Sequence, residues 1–302
     1  MLLFSAMLHS EAAAPRRVAP GGSTPFSLLR QAVADVVSRR RLIRYLVQAE
    51  MKKRGSNTFL GNLWWIIDPL LQMLVYVVLI AVIGRGRSVE DYPLFIFAAL
   101  LPWKWFLSVV SDATSSVIRH DRLIRGIAFP KLVLPIATST AGTVGFVWGM
   151  VPLGMLMLVY NDRLSLMLLW IPVIAAVQYV FTLAAAIFMS AANVFFRDLG
   201  NATSHVLRLW WFVSPGLFSL AALRELEVVQ HNPVISTLAS YNPFAVLFEA
   251  YRSVIYGTPD GVGPPHPPDL EQLGWLLLGS VIFLAVVVIF FKRVEPDFAK
   301  VL

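Results

Sequence analysis

Six stretches of this chain are long, apolar and almost free of charge, and nothing else in the sequence restricts its fold as strongly. Residues 132–160, 164–196, 209–223 and 273–291 contain no Asp, Glu, Lys or Arg. Residues 63–83 carry only Asp68, and residues 93–118 only Lys104 and Asp112. A helix needs about 20 mostly apolar residues to cross a bilayer. Lipid offers no partner to a backbone N–H or C=O, and none of these stretches alternates polar and apolar residues as a barrel strand does. The expected fold class is therefore an all-α integral membrane protein with six transmembrane helices.

Charge then sets the topology. Only 14% of residues are charged, against about 25% in soluble domains. With the N-terminus inside, the inner segments hold nineteen Lys and Arg: ten before residue 63, then Arg119, Arg122, Arg125, Lys131, Arg197, Arg208, Lys292, Arg293 and Lys300. The outer segments hold five: Arg85, Arg87, Arg163, Arg224 and Arg252. The positive-inside rule puts both termini in the cytoplasm. The net charge of +7 is thus a topology signal, and no nucleic-acid partner is implied.

Residues 1–24 read as a disordered leader. The opening MLLFSAML has no basic residues ahead of it, as a cleavable signal would, and is followed by Glu11 and a Pro-, Arg- and Gly-rich stretch. Over residues 25–55, Leu29, Val33 and Val36, then Leu42, Leu46 and Ala49, recur at helical spacing around Arg39-Arg40-Arg41. This is the pattern of an amphipathic helix lying in the inner interface with its basic side chains toward anionic lipid headgroups; a solvent-exposed helix is the alternative. Residues 56–302 form the membrane domain. Asp68 stands before Pro69, whose ring weakens the helix, and is read as a charge near the inner end of a kinked span. Lys104, between Trp103 and Trp105, is read as a snorkelling lysine in an outer aromatic belt.

Machinery for chemistry is absent. There is no Gly-Lys pair, hence no Gly-x-x-x-x-Gly-Lys-Ser/Thr phosphate loop, and no Gly-x-Ser-x-Gly nucleophile elbow. The five histidines are scattered without a pair four residues apart, and there is no cysteine. No metal site, cofactor or catalytic residue is expected on this chain. A membrane-embedded transferase built on less recognisable Asp, Glu or His residues stays open as an alternative.

Specific residues now point to a family. Arg54-Gly-Ser-Asn-Thr-Phe-Leu-Gly-Asn-Leu-Trp-Trp-Ile-Ile-Asp-Pro69 followed by Val75-Tyr76 resembles the entry to the first span of type-2 ABC-transporter permeases that export polysaccharides. The resemblance continues in order through Leu101-Pro-Trp103, Leu123-Ile-Arg-Gly-Ile-Ala-Phe-Pro130 with Leu134-Pro135, and Asn193-Val-Phe-Phe-Arg-Asp198. It ends with Ser214-Pro215, Tyr241-Asn-Pro243, Glu249-Ala-Tyr-Arg252 and the tail Glu295-Pro-Asp-Phe-Ala299. It covers the chain from about Arg44 onward; the leader and the Pro-rich loop 258–268 match nothing in it.

The resemblance implies a homodimer working with two copies of a separate ABC ATPase, which would bind ATP and Mg. The cargo would be a lipid-linked polysaccharide of O-antigen, teichoic-acid or galactan type, moved across the bacterial inner membrane; export of a drug or small lipid is the alternative within the family. It also implies that the connection 120–129 meets the ATPase, making Arg119, Asp121, Arg122 and Arg125 candidate coupling residues, although each could equally be a positive-inside anchor. Short re-entrant helices on the outer side are implied before the last span, with Tyr241, Asn242 and Pro243 as an outer gate. A channel for sugar rings can be lined by aromatic side chains, and Trp64, Trp65, Tyr76, Trp103, Trp105, Phe106 and Trp148 are the candidates; the interfacial preference of Trp and Tyr is the competing explanation for each.

Overall fold

The computed structural model describes residues 24–55, 60–83, 90–126, 129–220, 241–258 and 261–301. Among them helices and short 3₁₀ turns are the only regular structure. In chain order the helices are α1 (Pro25–Ser38), α2 (Arg40–Gly55), α3 (Trp64–Ile83), α4 (Tyr92–Thr114), α5 (Ser116–Arg119), α6 (Asp121–Gly126), α7 (Val133–Val159), α8 (Ile171–Phe195), α9 (Leu199–Val213), α10 (Pro243–Ile255), α11 (Leu270–Val294) and α12 (Phe298–Val301). Five of these, α3, α4, α7, α8 and α11, are long and apolar enough to cross a bilayer.

The remaining expected span, residues 209–223, is placed differently. The chain there is already helical from Leu199, and α9 ends at Val213 after 15 residues. Hydropathy misses the polar first half, Leu199-Gly-Asn-Ala-Thr-Ser-His205, and overruns Pro215, which has no N–H to donate and disfavours helix in the residue before it. Residues 221–240, including the start of the expected re-entrant region, lie outside the described residues, as does all but Thr24 of the leader.

α4 is the axis of the bundle. Leu94 to Leu101 are all buried, as are Trp103, Trp105, Phe106, Val109 and Val110. It packs on α3, α7, α8, α9 and α10. Against α7 the approach is close because Gly142 faces Val109 and Gly149 faces Leu101, so that a Cβ at either would run into the opposing side chain. Small residues at helix crossings are the usual way for membrane helices to gain packing contacts. α8 lies on the far side of α4 and carries α11 on its outer flank, and Gln178 of α8 donates to the Pro102 carbonyl at 2.7 Å. The core forms two clusters, a larger one around α4 and α10 and a smaller one joining α2, α7, α8 and the last turns of α11.

The segment expected as one amphipathic helix over 25–55 is two, broken at Arg39. The buried stripe of α1 is Leu28 and Ala32, while Val33 is exposed. α1 is held against the bundle by Lys292 of α11, whose Nζ lies 2.5 Å from Asp35 Oδ2.

At the other end of the bundle, α9 stops at Ser214-Pro215-Gly216, and its open carbonyls meet Arg252 of α10. The guanidinium is 2% exposed. It donates to Pro215 O at 2.8 Å, Gly216 O at 2.5 Å, Phe218 O at 3.2 Å and Phe95 O at 3.4 Å, over the face of the Phe95 ring. Glu249 accepts from Leu220 N at 3.1 Å beside it. Asn242 caps α10, accepting from Phe244 N at 3.0 Å and Trp210 Nε1 at 3.3 Å and donating to Ser214 Oγ at 2.8 Å. α9 and α10 are thereby locked through their adjoining ends.

Two outcomes follow for thermal unfolding in detergent. Gly142→Val, which forces a branched side chain against the stiff Val109, should destabilise by about 1–3 kcal/mol, whereas Gly154→Ala, with nothing within 4 Å of the added carbon, should leave the midpoint unchanged or raise it. Arg252→Leu strands several buried carbonyls at about 1–3 kcal/mol each and should abolish recovery of folded protein; Arg252→Lys, with three donors and no fork, should recover part of it.

Candidate functional site

The two ends of the bundle differ in character. One end gathers α1, α2, α5, α6, the start of α7 and the tail. Lys292 Nζ bridges Asp35 and Glu295, the latter at 2.8 Å, and Glu295 also accepts the Lys131 backbone N–H. Phe298 packs against Phe195 and Phe291. The opposite end is tied by Arg163, which is 5% exposed. It donates to Asp91 Oδ2 at 3.3 Å and to the carbonyls of Tyr256 and Gly263 at 3.1 and 3.2 Å. Tyr92 Oη donates to Leu217 O there at 3.2 Å. The described segments expected inside share the first end, and those expected outside share the second.

The coupling candidates sit at the first end. α4 finishes at Thr114, and the chain turns through α5 into α6, a six-residue helix beginning at Asp121. Asp121 Oδ1 accepts the Arg122 N–H at 2.6 Å. Arg119 folds back, its Nη2 donating to Asp112 O at 2.8 Å. Ile124 is buried in the smaller core cluster while Arg122 is exposed. α6 is thus anchored by one apolar side chain and turns a polar face outward. Arg125 belongs to α6; its side chain is outside the described set.

The aromatic candidates divide. Tyr76, Trp103, Trp105 and Phe106 are core side chains, each 9% exposed or less. Trp103 packs against Trp211 at 5.5 Å and Phe244 at 4.8 Å, Trp105 stacks on Phe146 at 4.4 Å, and Tyr76 lies 5.8 Å from Trp211. In the single chain these four rings are packed against the chain's own side chains. Trp64 and Trp148 are exposed and Trp65 half-buried. Of the gate candidates, Asn242 is the helix cap described above, while Pro243 and the exposed Tyr241 line a cavity of about 820 Å³ between α10 and α11.

The charges expected inside spans form a site that the sequence reading missed. Lys104 Nζ pairs with Asp68 Oδ2. Lys104 does not lie where expected: it is the thirteenth of the 23 residues of α4, about 18 Å along the helix from Tyr92, not at its outer end, whereas Asp68 is the fifth of the 20 residues of α3, near the start of its span as expected. The pair borders a groove of about 230 Å³ between α3, α4 and α7, with Trp64, Trp65, Leu101, Ser108 and Gly145 also in its wall. The spacing Lys104, Ser108, Asp112 places three polar side chains on one face of α4, a pattern visible in the sequence only once that face is known to be open.

No family model matches the chain. Individual relatives do. It is 32% identical over 268 residues to the "O-antigen export system permease protein RfbA" of Myxococcus xanthus, covering 89% of this chain and 98% of that one. Two proteins of the same name from Klebsiella pneumoniae are 30% identical over 223 residues and 26% identical over 263, covering 72% and 86% of this chain and 86% and 95% of theirs. A likeness that runs through nearly the whole of both chains, on a bundle with five bilayer-length apolar helices, shows that this multi-pass membrane protein belongs to the type-2 ABC-transporter family of polysaccharide-export permeases.

Proposed function

We propose that the chain is the channel-forming subunit of an ATP-driven exporter that moves a lipid-linked polysaccharide, of O-antigen, teichoic-acid or galactan type, from the cytoplasm across the inner membrane. The observation that carries this is the end-to-end match to an O-antigen export permease, 98% of whose length is covered. Two copies of the chain work with two copies of a separate ATPase that supplies the phosphate loop this chain lacks and binds ATP and Mg; the chain itself is not an enzyme.

In this reading the α1–α2–α6 end is cytoplasmic and holds both termini. α9 continues through residues 214–217 to the neighbourhood of Tyr92, supplying a sixth crossing. α10, whose first turn packs at the level of Trp103 and Phe106 and whose last reaches Glu90 through Tyr256, re-enters from the outer side with Tyr241 at its deep end. α1 and α2 bring their basic side chains to the inner lipid headgroups. α6 presents Asp121, Arg122 and Arg125 to the ATPase, with Arg119 beside them, and a short docked helix transmits closure of the nucleotide sites to α4 and α7. Trp64, Trp65 and Trp148 are the rings left to line the path.

Gentle purification of the tagged chain followed by intact-complex mass measurement should give two permeases with two copies of a protein bearing a phosphate loop. A lone chain that transfers sugar or acyl groups without an ATPase would replace this reading with the transferase. In the same complex, Asp121→Ala with Arg122→Ala should preserve assembly and ATP hydrolysis but lower export at least tenfold; export at the wild-type rate would remove α6 from the coupling path.

A further inference from the structure

The Asp68–Lys104 pair has the geometry of a contact site. We propose that the groove between α3, α4 and α7, with this pair in its wall and Trp64 and Trp65 beside it, touches the hydroxyls of the exported chain directly; the inference rests on the reading of the cargo as a polysaccharide.

Lys104 lies near the middle of α4 and Asp68 in the second turn of α3, and the Asp68 side chain, 60% exposed against 18% for Lys104, points out of the protomer where the two helices meet. A charge facing hydrocarbon at the centre of a bilayer costs about 2.5–3.5 kcal/mol even on lenient scales, and intramembrane charges face protein or water. The exposed side of Asp68 therefore looks into water within the assembly. The polar face continues from it toward the cytoplasmic end through Ser108 and Asp112 to Arg119, which donates to the Asp112 carbonyl.

The chemistry of the groove selects among cargoes. A carboxylate that accepts and an ammonium that donates can both bond a sugar hydroxyl, and each such bond replaces one the pair makes with water, so successive rings can pass without a deep trap. Indole faces such as Trp64, 44% exposed, suit the apolar C–H faces of the same rings. A hydrophobic drug gains nothing from the pair. An anionic headgroup meets Asp68, the more exposed partner, and is repelled.

The test exploits the absence of native cysteine. Leu71→Cys places a thiol about one turn from Asp68 on the same exposed side of α3, and Ile282→Cys places one at the middle of α11; the native side chains are 50% and 56% exposed. In the complete exporter in its own membrane, a charged, water-soluble thiol reagent should modify position 71 at least tenfold faster than position 282. The rate at 71 should fall several-fold in cells making the polymer relative to cells in which its synthesis is blocked. Asp68→Leu with Lys104→Met should assemble normally yet export at least tenfold more slowly, and Asp68→Asn with Lys104→Gln, which keeps hydrogen bonding, should regain a substantial part. Wild-type export by the apolar double variant, equal labelling at the two positions, or labelling at 71 that ignores the polymer would each overturn the proposal. A strain lacking this chain that still displays its surface polysaccharide would instead overturn the functional reading, and the cargo assigned here with it.

Discussion

A chain that turns inside an apolar layer leaves carbonyls that water cannot reach, and the Arg252 end of this protein is organised around meeting that cost. Arg252 does most of it, reaching four carbonyls, one from α4 and three from the turn after α9. Irregular backbone at membrane depth is tolerated only where protein or trapped water satisfies it. Once the guanidinium occupies this position, α10 must lie against both α4 and the end of α9, and Asn242 then secures its lower end to Ser214 and Trp210. The aromatic cluster of Trp103, Phe106, Trp211, Phe244 and Phe248 fills what lies between. Trp103 with Phe244 and Trp211 with Phe248 pack edge to face, a geometry that adds about 0.5–1.5 kcal/mol per pair beyond area burial.

The opposite end of the bundle solves a different problem with different means. There charged side chains serve as ties rather than caps: Lys292 joins α1 to α11 through Asp35 and reaches the start of α7 through Glu295. The same end holds α6, which follows α4 through α5 and the turn at Ser115; in the proposed function displacement of that short helix is passed to α4 by this route. The ties made by Arg163 and by Lys292 sit at opposite ends of a bundle whose centre is glycine-packed between α4 and α7.

What could be read from the chain alone depended on whether a property was local. The windows 63–83, 132–160 and 273–291 lie within three residues of α3, α7 and α11 at each end, because absence of charge over twenty residues needs no partner to interpret. The window 209–223 failed where a proline overrode hydropathy. The face of α1 that meets the protein, Leu28 and Ala32 beside the Asp35–Lys292 pair, depends on a partner 257 residues away and leaves no pattern in the local sequence. Arg163, Arg252 and Lys292 resemble topology charges in sequence and become structural only through carbonyls and carboxylates far along the chain. Among the candidate residues, the position of Asp121 and Arg122 at one end of the bundle was legible because they occupy a polar gap between spans. The buried tryptophans were not separable from the exposed ones, since Trp lies on mostly apolar spans in α3, α4 and α7 alike. The Asp68–Lys104 contact joins residues 36 apart, a pairing that no single helix pattern announces.

That pairing bears on how the protein responds to the membrane potential. A single charge moved across the full potential changes in energy by about 2.3 kcal/mol per 100 mV. Asp68 and Lys104 sit at one level and carry opposite signs, so a shift that moves α3 and α4 together transports no net charge through the field. Under the proposed function, such a shift leaves opening and closing of the groove to the ATPase cycle and the occupant, and an energised membrane neither drives the groove open nor holds it shut.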